Sequence, residues 1–175
     1  MGIFSSKEAK LLIVGLDNSG KSTMIARLKP QKVDNGDIAP TVGYNQEQFK
    51  KNSINFTVFD MSGQSQYRDM WQKIGKSVEG IVFVIDSADK LRFAMVEHEL
   101  KTLLEEPEIK NKPIPILFLA NKMDINGAAT PNDFVEMLHL GEISNRSWHI
   151  NASNALTGSG IDEGIKWLTD KIHKK

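Results

Sequence analysis

Runs of apolar residues alternate along the chain with amphipathic segments, the pattern of strands alternating with helices. Three of these runs, Leu11–Val14, Ile81–Ile85 and Ile114–Ala120, contain no charged or hydrogen-bonding side chain. Strands buried on both faces of a parallel sheet have this composition, because helices cover both sides of such a sheet. A weaker run, Trp148–Asn151, ends the series. The pattern predicts a mostly parallel sheet in the interior of the protein.

Two further strand candidates, Tyr44–Phe49 and Ile54–Phe59, are separated only by the polar residues 50–53. So short a link predicts an antiparallel hairpin, since a parallel pair needs a much longer crossover. With the helices, the elements predict an α/β fold: a mostly parallel, six-stranded, doubly wound sheet with one antiparallel edge strand, in a single domain over residues 1–175. The predicted helices are Ser22–Leu28, Leu91–Glu105, Asn132–Leu138 and Ile161–Ile172, with Thr130-Pro131 and Gly160 as boundary residues.

Composition and charge exclude several kinds of function. The chain has 22 basic and 22 acidic residues and no cysteine. A net charge of zero gives no general attraction to nucleic acid, and the lack of thiols removes disulfides and cysteine catalysis. The four histidines are widely separated and form no ligand pattern, so we expect them at the surface or at helix ends. Because no apolar run approaches the roughly 18 residues of a membrane span, the sequence predicts a cytoplasmic protein.

Residues 15–22, GLDNSGKS, match the GxxxxGKS pattern of a phosphate-binding loop. An apolar strand precedes this loop and a helical segment follows it, as the motif requires. Its glycines let successive backbone N–H groups turn toward one anion. Lys21 is expected to reach the β- and γ-phosphates, and the Ser22 hydroxyl to bind Mg²⁺. The predicted contact residues are Gly15, Leu16, Asp17, Asn18, Ser19, Gly20, Lys21, Ser22 and Thr23.

A second motif, NKMD at residues 121–124, directly follows a predicted buried strand. The Asp124 carboxylate can accept hydrogen bonds from N1–H and the 2-amino group of guanine, whereas adenine offers no such pair of donors. Unpaired buried polar groups are costly, so adenine is strongly disfavoured. Lys122 is expected to cover the base, and Asn121 to connect this loop with the phosphate loop. Ala152, after the last strand, would give a backbone N–H to the guanine oxygen. The predicted ligand is therefore GTP or GDP.

Residues 60–64, DMSGQ, follow the second hairpin strand and match a DxxGQ pattern. The Gly63 N–H can approach the γ-phosphate because glycine has no side chain, and Gln64 is the kind of residue that orients an attacking water. Gln64 is therefore the predicted catalytic residue. Thr41 is the natural second Mg²⁺ ligand, bound to the metal only when the γ-phosphate is present. Both segments are therefore predicted to change conformation with the state of the nucleotide.

The motifs GLDNSGKS, PTVGY, FTVFDMSGQ and NKMD, with the spacing between them, resemble those of Arf and Arf-like small GTPases over residues 7–173. The resemblance implies the P-loop small-GTPase fold and a GTP/GDP switch with slow hydrolysis. An exchange factor, a GTPase-activating protein and an effector or coat are the partners it implies. The finer match is to the ciliary Arf-like GTPases that recruit the BBSome coat, with Ser62 and the segments IPILF and EGIKWL carrying it. That match implies membrane and ciliary trafficking at a cilium or basal body.

Two other functions compete with the switch. A nucleotide-binding scaffold with negligible hydrolysis is the alternative that Gln64 argues against. A P-loop ATPase or kinase is the other, and the NKMD motif disfavours it. The effectors of Arf proteins contact a cluster of three aromatic residues. Tyr44 and Phe59 match two of its positions, but Ile74 stands at the third, where a tyrosine is expected. The identity of the effector therefore stays open.

The first six residues, MGIFSS, fit the MGxxxS pattern of N-myristoylation with Gly2 as the acceptor. One myristoyl chain gives only weak, reversible membrane binding, with a constant on the order of 10⁴ M⁻¹. The motif is short and common, so an unmodified segment is the alternative. If Gly2 is acylated, the protein is expected to associate peripherally with membranes.

Overall fold

The computed structural model describes residues 9–28, 46–51, 54–60, 69 and 75–173, and only the backbone of residues 46–49 and 58–60. Six strands form one sheet in the order β2-β3-β1-β4-β5-β6. Strands β2 and β3 are antiparallel, and every other pair is parallel. The predicted fold class is therefore confirmed. The strands are β1 (Ala9–Gly15), β2 (Gln46–Lys51), β3 (Ile54–Asp60), β4 (Gly80–Asp86), β5 (Ile116–Asn121) and β6 (Trp148–Ala152).

Helices lie on both faces of this sheet. Two short 3₁₀ turns, Lys90–Arg92 and Leu140–Glu142, accompany five α-helices in the described part of the chain. All four predicted helical segments are confirmed, with ends that differ by at most two residues. The helices are α1 (Lys21–Leu28), α2 (Phe93–Glu105), α3 (Pro107–Lys110), α4 (Pro131–Met137) and α5 (Ile161–His173).

Alternate side chains of the strands supply two hydrophobic cores, one on each face of the sheet. On β1, Leu12 and Val14 belong to one core and Leu11 and Ile13 to the other. All four are essentially inaccessible to solvent, so burial of each contributes roughly 1.5–3 kcal/mol. The first core also contains Phe83, Val96, Phe118 and Phe134, and the second contains Met24, Val82, Leu117 and Leu168. The uninterrupted apolar runs in the sequence thus follow from burial on both faces.

Strand ends differ from the sequence predictions by at most two residues, and two of these differences concern Pro115 and the hairpin. Strand β5 begins at Ile116, because Pro115 has no N–H to give to the ladder, although its carbonyl still accepts from Ile81 N–H (3.1 Å). Lys50 and Lys51, predicted as turn residues, belong to β2, where Lys51 pairs with Ile54. The hairpin link is therefore shorter than predicted.

The predicted helix boundary at Thr130-Pro131 is confirmed, and the histidines lie at the surface. Thr130 begins α4 with a capping box: its hydroxyl accepts from Asp133 N–H (3.2 Å), and its own N–H donates to the Asp133 carboxylate (2.8 Å). All four histidines are exposed. Among the described residues, no helix is both long enough and apolar enough to cross a bilayer.

Parallel strands place their carboxyl ends at one edge of the sheet. The phosphate-loop sequence leaves β1 there, residues 121–124 leave β5, and the loop after β6 lies beside them. Ligands of open α/β sheets bind at this edge. The topology therefore brings together motifs that are far apart in sequence.

Candidate nucleotide-binding site

The turn from β1 into α1 requires glycine at both ends. A Cβ at Gly15 would lie 2.6 Å from the Val84 carbonyl oxygen of the neighbouring strand. Gly20 has φ +102°, and a Cβ there would overlap the side-chain amide of Asn121. Asn18 between them also adopts a left-handed conformation, with φ 60°. Glycine is needed at residues 15 and 20 for space, and at residue 20 for its backbone angle as well.

Three successive carbonyl oxygens of this loop accept hydrogen bonds from side chains outside it. The C=O and N–H of a trans peptide point in opposite directions. Holding the carbonyls of Asp17 and Ser19 therefore turns the N–H groups of Asn18 and Gly20 toward the other side of the loop, as a phosphate cradle needs. The Ser19 N–H instead donates to Leu16 O within the turn (3.3 Å). The three bonds run from Arg92 Nη1 to Asp17 O (2.7 Å), from Lys122 Nζ to Asn18 O (2.7 Å) and from Asn121 Nδ2 to Ser19 O (3.0 Å).

Lys21 begins α1 and is buried, with its ammonium group inside the turn. Its Nζ donates to the carbonyl oxygens of Gly15 and Leu16, both at 2.6 Å. Ser22 is exposed and Thr23 is half-buried in the same first helical turn. A cation and a hydroxyl thus lie where the loop meets the N-terminus of a helix, an environment that favours anions.

Asn121, the last residue of β5, has hydrogen-bond partners for both ends of its amide. Its Nδ2 donates to Ser19 O, and its Oδ1 accepts from Ala155 N–H (3.0 Å) and from the Ser153 hydroxyl (3.3 Å). The side chain is almost completely buried. The predicted connection between the two loops is therefore present, and the third loop joins it.

Lys122 adopts a left-handed conformation, with φ 63°, which is uncommon for a residue with a long side chain. Besides Asn18 O, its Nζ contacts the Asp86 carboxylate at the end of β4 (2.8 Å). The other Asp86 oxygen accepts from Ala88 N–H (3.0 Å), which orients the carboxylate. Asp124 is exposed just beyond, with its carboxylate open to solvent.

Ala152 and Ala155 occupy different positions in the loop after β6. Ala152 is the last strand residue, opposite Ala120, and its carbonyl is packed so closely on Gly160 that a Cβ there would overlap it. Ala155 is buried in the turn, and its N–H points at Asn121. The Ala155 N–H is thus occupied by a side chain of the base-reading motif, and the assignment of the Ala152 N–H to the guanine oxygen stays a prediction.

Arg27 connects α1 with this same loop. Its Nε donates to Ala155 O (3.1 Å), and its Nη2 donates to Leu156 O. Gly158, with φ +86°, leaves room for the arginine stem. Arg27 lies in the last turn of a predicted helix and belongs to no motif, so no sequence pattern indicates this contact.

Arg92 contacts two groups of Asp17, the first of the three loop residues whose carbonyl oxygens are held by side chains. One guanidinium nitrogen donates to the Asp17 carbonyl, and another pairs with the Asp17 carboxylate. The hydrogen bond from Arg92 lowers the pKa of Asp17, and burial acts in the opposite direction. Asp17 therefore stays ionised well into the acid range.

Several predicted functional residues lie outside the described part of the chain. They are Gly2, Thr41, Tyr44, Ser62, Gly63, Gln64 and Ile74. The backbone of Asp60, which opens the DxxGQ segment, ends β3 opposite Gly15. Thr41, Gly63 and Gln64 therefore remain predictions.

Comparison with known proteins identifies the family. Residues 2–172 match the model of the ADP-ribosylation factor family. ADP-ribosylation factor-like protein 6 of Danio rerio is 49% identical over 166 residues, covering 95% of this chain and 89% of that protein. The protein of the same name from Caenorhabditis elegans is 39% identical over 183 residues, covering 99% and 96%.

A solved structure agrees with the sequence matches. The Arl6 BBS3 small GTPase from Trypanosoma brucei, determined with the nucleotide analogue GppNp bound, superposes with a TM-score of 0.77 at 38% identity. The match covers 95% of this chain and 98% of that one. The chain therefore belongs to the ADP-ribosylation factor family and is a small GTPase, a protein that binds guanine nucleotide and hydrolyses GTP.

Proposed function

We propose that this GTPase is a membrane-trafficking switch whose nucleotide occupies the three loops at the carboxyl edge of the sheet, and whose GTP state recruits a coat or effector. The hydrogen bond from Asn121 Nδ2 to Ser19 O carries the proposal for the site, because it joins the base-reading motif to the phosphate loop. Three relatives named Arl6 or ADP-ribosylation factor-like protein 6 support the proposal for the pathway.

The phosphate half of the site consists of residues 15–23. The Lys21 ammonium donates to two carbonyl oxygens of the loop, those of Gly15 and Leu16. A bound nucleotide would offer it the β- and γ-phosphate oxygens, which are charged and therefore stronger acceptors. The inward N–H groups of the loop and the N-terminus of α1 would hold the remaining phosphate charge.

Mg²⁺ fits the oxygen ligands at this end of the site. Ser22 presents an exposed hydroxyl in the first turn of α1, and hydroxyl and phosphate oxygens are the hard ligands that Mg²⁺ prefers. Thr41 would add a second hydroxyl in the GTP state. When bound, the metal neutralises phosphate charge; the protein's own part is to hold the phosphates and orient these hydroxyls.

The guanine half is formed by residues 121–124 and the turn after β6. The Asp124 carboxylate would accept from N1–H and the 2-amino group, while an amide would donate to the guanine oxygen. We keep the assignment of that amide to Ala152, because the Ala155 N–H is already donated to Asn121 Oδ1 (3.0 Å). The Lys122 stem would lie along the base, since its ammonium is fixed by Asn18 O and Asp86.

Hydrolysis and switching are assigned to residues outside the described part of the chain. Gln64 would orient the attacking water, and Gly63 and Thr41 would contact the γ-phosphate until it is released. Loss of these contacts would free both segments and end effector binding. An exchange factor and a GTPase-activating protein would set the two rates, as is general for the family.

Recruitment to membranes is assigned to Gly2. A myristoyl group there would give weak attachment that a partner or the nucleotide state can modulate. The BBSome is our candidate for the recruited coat, with a cilium or basal body as the place of action. The names of the relatives support this assignment.

Nucleotide competition tests the site. The wild-type protein is expected to bind a fluorescent GDP that unlabelled GTP displaces and ATP does not. Asp124→Asn should lose affinity for GTP and gain affinity for xanthosine nucleotide, because the carboxamide reverses part of the donor–acceptor match. Asp162→Asn, an exposed change of the same kind on α5, is the matched control. Displacement by ATP and GTP alike would contradict the proposed site.

Single-turnover hydrolysis tests the catalytic assignment. Gln64→Leu should slow hydrolysis while leaving GTP affinity nearly unchanged, since it removes water positioning and no phosphate contact. A rate that Gln64→Leu leaves unchanged, with and without an activating protein, would exclude Gln64 as the catalytic residue.

Binding experiments test the trafficking assignment. The myristoylated protein should float with liposomes more strongly when loaded with GppNp than with GDP, and Gly2→Ala should abolish the difference. The GppNp form should retain purified BBSome on a column, and the GDP form should not. Retention that ignores the nucleotide would contradict a coat-recruiting switch.

A further inference from the structure

We propose that Arg92 is a positioning residue for the phosphate loop and that it lengthens the lifetime of the bound nucleotide. The inference rests on the proposed function of residues 15–23 and adds a residue that belongs to none of the nucleotide-binding motifs. Arg92 would act through Asp17 without touching the nucleotide.

The first step is the geometry of the contact. Arg92 binds Asp17 twice, through the backbone carbonyl at 2.7 Å and through the carboxylate. Two bonds from one planar guanidinium fix both the peptide and the side chain of their partner. The orientation of the Asp17–Asn18 peptide, and with it the direction of the Asn18 N–H, therefore depends on Arg92.

The second step is the rigidity of the helix that directly follows Arg92, the last residue of the 3₁₀ turn. Arg92 is the residue immediately before α2, a helix anchored in the core by Val96, Leu100 and Leu103. The guanidinium is held against a loop 75 residues earlier in sequence. A tether from a packed helix can restrain a loop, whereas one from another loop would move with it.

The third step is that nothing else described in the structure replaces this tether. The carbonyls of the next two residues are held by Lys122 and Asn121, both from the base-reading motif. Behind the loop lies a small recess that Arg92 borders, together with Leu16, Ser19, Val84 and Val96. The buried Ser19 hydroxyl there has no hydrogen-bond partner among the described residues. Among the described residues, Arg92 is therefore the side chain that holds the Asp17 carbonyl.

The fourth step concerns charge. Asp17 puts a carboxylate into a loop that must hold the phosphates of a nucleotide. Arg92 pairs with this carboxylate and keeps it on the outer side of the loop. Removing the arginine would therefore loosen one cradle peptide and also leave an unpaired negative charge near an anionic ligand. Both effects favour release of the bound nucleotide.

Dissociation of fluorescent GDP, measured by stopped flow in Mg²⁺, tests the proposal. Arg92→Met keeps the apolar stem and should raise the dissociation rate roughly tenfold, the value of one charged hydrogen bond. Arg92→Lys retains the charge without the double contact and should fall between Arg92→Met and wild type. Lys90→Met, an exposed lysine in the same turn, is the matched control and should release GDP at the wild-type rate.

A double variant separates positioning from a general loss of stability. Asp17→Ala removes the carboxylate but leaves the carbonyl that Arg92 holds, and its own dissociation rate is the reference for the double variant. In the Arg92→Met background it should partly restore slow release, because the unpaired charge is gone. A purely structural role for Arg92 predicts no such rescue.

Lys21→Met distinguishes failure of this inference from failure of the proposed function. If Lys21→Met binds GDP normally, the phosphate-loop assignment itself is wrong. If Lys21→Met abolishes binding while Arg92→Met dissociates within twofold of wild type, or no faster than Lys90→Met, only the role of Arg92 is overturned.

Discussion

Single residues decide whether the two halves of the nucleotide site fit together. Gly20 has a backbone angle that favours glycine, and it also lies against the amide of Asn121. One position thus carries a conformational and a steric requirement. The sequence motif explains the first requirement, and only the structure reveals the second.

Gly20→Ala is therefore expected to abolish nucleotide binding, because the new methyl group would displace Asn121 and strain the loop. Fluorescent GDP titration measures the loss. Gly141→Ala is the control, since a Cβ there meets no atom within 4 Å and should leave the affinity unchanged. Normal GDP binding by Gly20→Ala would mean that the loop rearranges when loaded.

Glu99 is a second residue with a measurable effect, far from the motifs. It is buried on α2, and this burial raises its pKa, with His98 opposing the shift. The unfolded chain loses the Glu99 proton at the ordinary glutamate pKa of about 4.3, whereas the folded protein holds that proton to higher pH. Glu99 therefore lowers the free energy of unfolding as the pH rises through about 4.3.

Glu99→Gln should therefore raise the thermal midpoint at pH 7, and the gain should shrink to nothing as the pH falls below about 4. Glu97→Gln, which removes a carboxylate paired with Lys101 (3.1 Å), is the control and should not stabilise the protein. A gain from Glu99→Gln that is the same at both pH values would contradict burial as the cause.

The sequence predicted those site residues whose role is local to a motif. Residues 15–22 lie in one loop, and NKMD follows one strand. Arg27, Asp86 and Arg92 were missed, since each acts through a contact with a distant segment and has no sequence pattern of its own. Ala155 was missed for the same reason, because its role is a contact with Asn121.

At the scale of elements, composition predicted the interior well and the edges less well. Strands β1, β4 and β5 are buried on both faces, so their residues had to be apolar. Helix α3, with only four residues, was not predicted, because so short a segment has no periodicity. The buried Arg146 stabilises it by donating to Ile109 O (2.8 Å) and Ile114 O (3.1 Å), a tertiary effect.

The capping box of α4 gives the prediction at this scale. Thr130→Ala should destabilise the protein by about 1 kcal/mol, since it leaves the Asp133 N–H without its acceptor. Urea unfolding measures the change. Thr102→Ala is the control: its hydroxyl bonds only the His98 carbonyl within α2 (3.0 Å), and alanine is the better helix former. Equal losses in both variants would contradict the capping role.

For the whole molecule, we propose that residues 1–175 are one folding unit. The two hydrophobic cores take alternate side chains from the same strands, so neither face can be exposed without breaking the other. Loss of packing on one face of the sheet is therefore expected to unfold the other face as well.

Urea unfolding should accordingly give coincident curves by tryptophan fluorescence and by far-ultraviolet circular dichroism. GDP at a thousand times its dissociation constant should stabilise the protein by about 4 kcal/mol without separating the curves. Two resolved transitions would show that the faces of the sheet unfold independently.

The hydrogen bond between Asn121 and Ser19 also determines when, during synthesis of the chain, the nucleotide site can be completed. Its partners are 102 residues apart, so at roughly 5–20 residues per second the phosphate loop waits roughly 5–20 s for Asn121 to be made. Asn121 in turn depends on Ser153 and Ala155, still later in the chain. A nascent chain is therefore expected to gain its affinity for nucleotide near the end of translation, so an incomplete copy emerging from the ribosome cannot compete for GTP or for the partners of the finished switch.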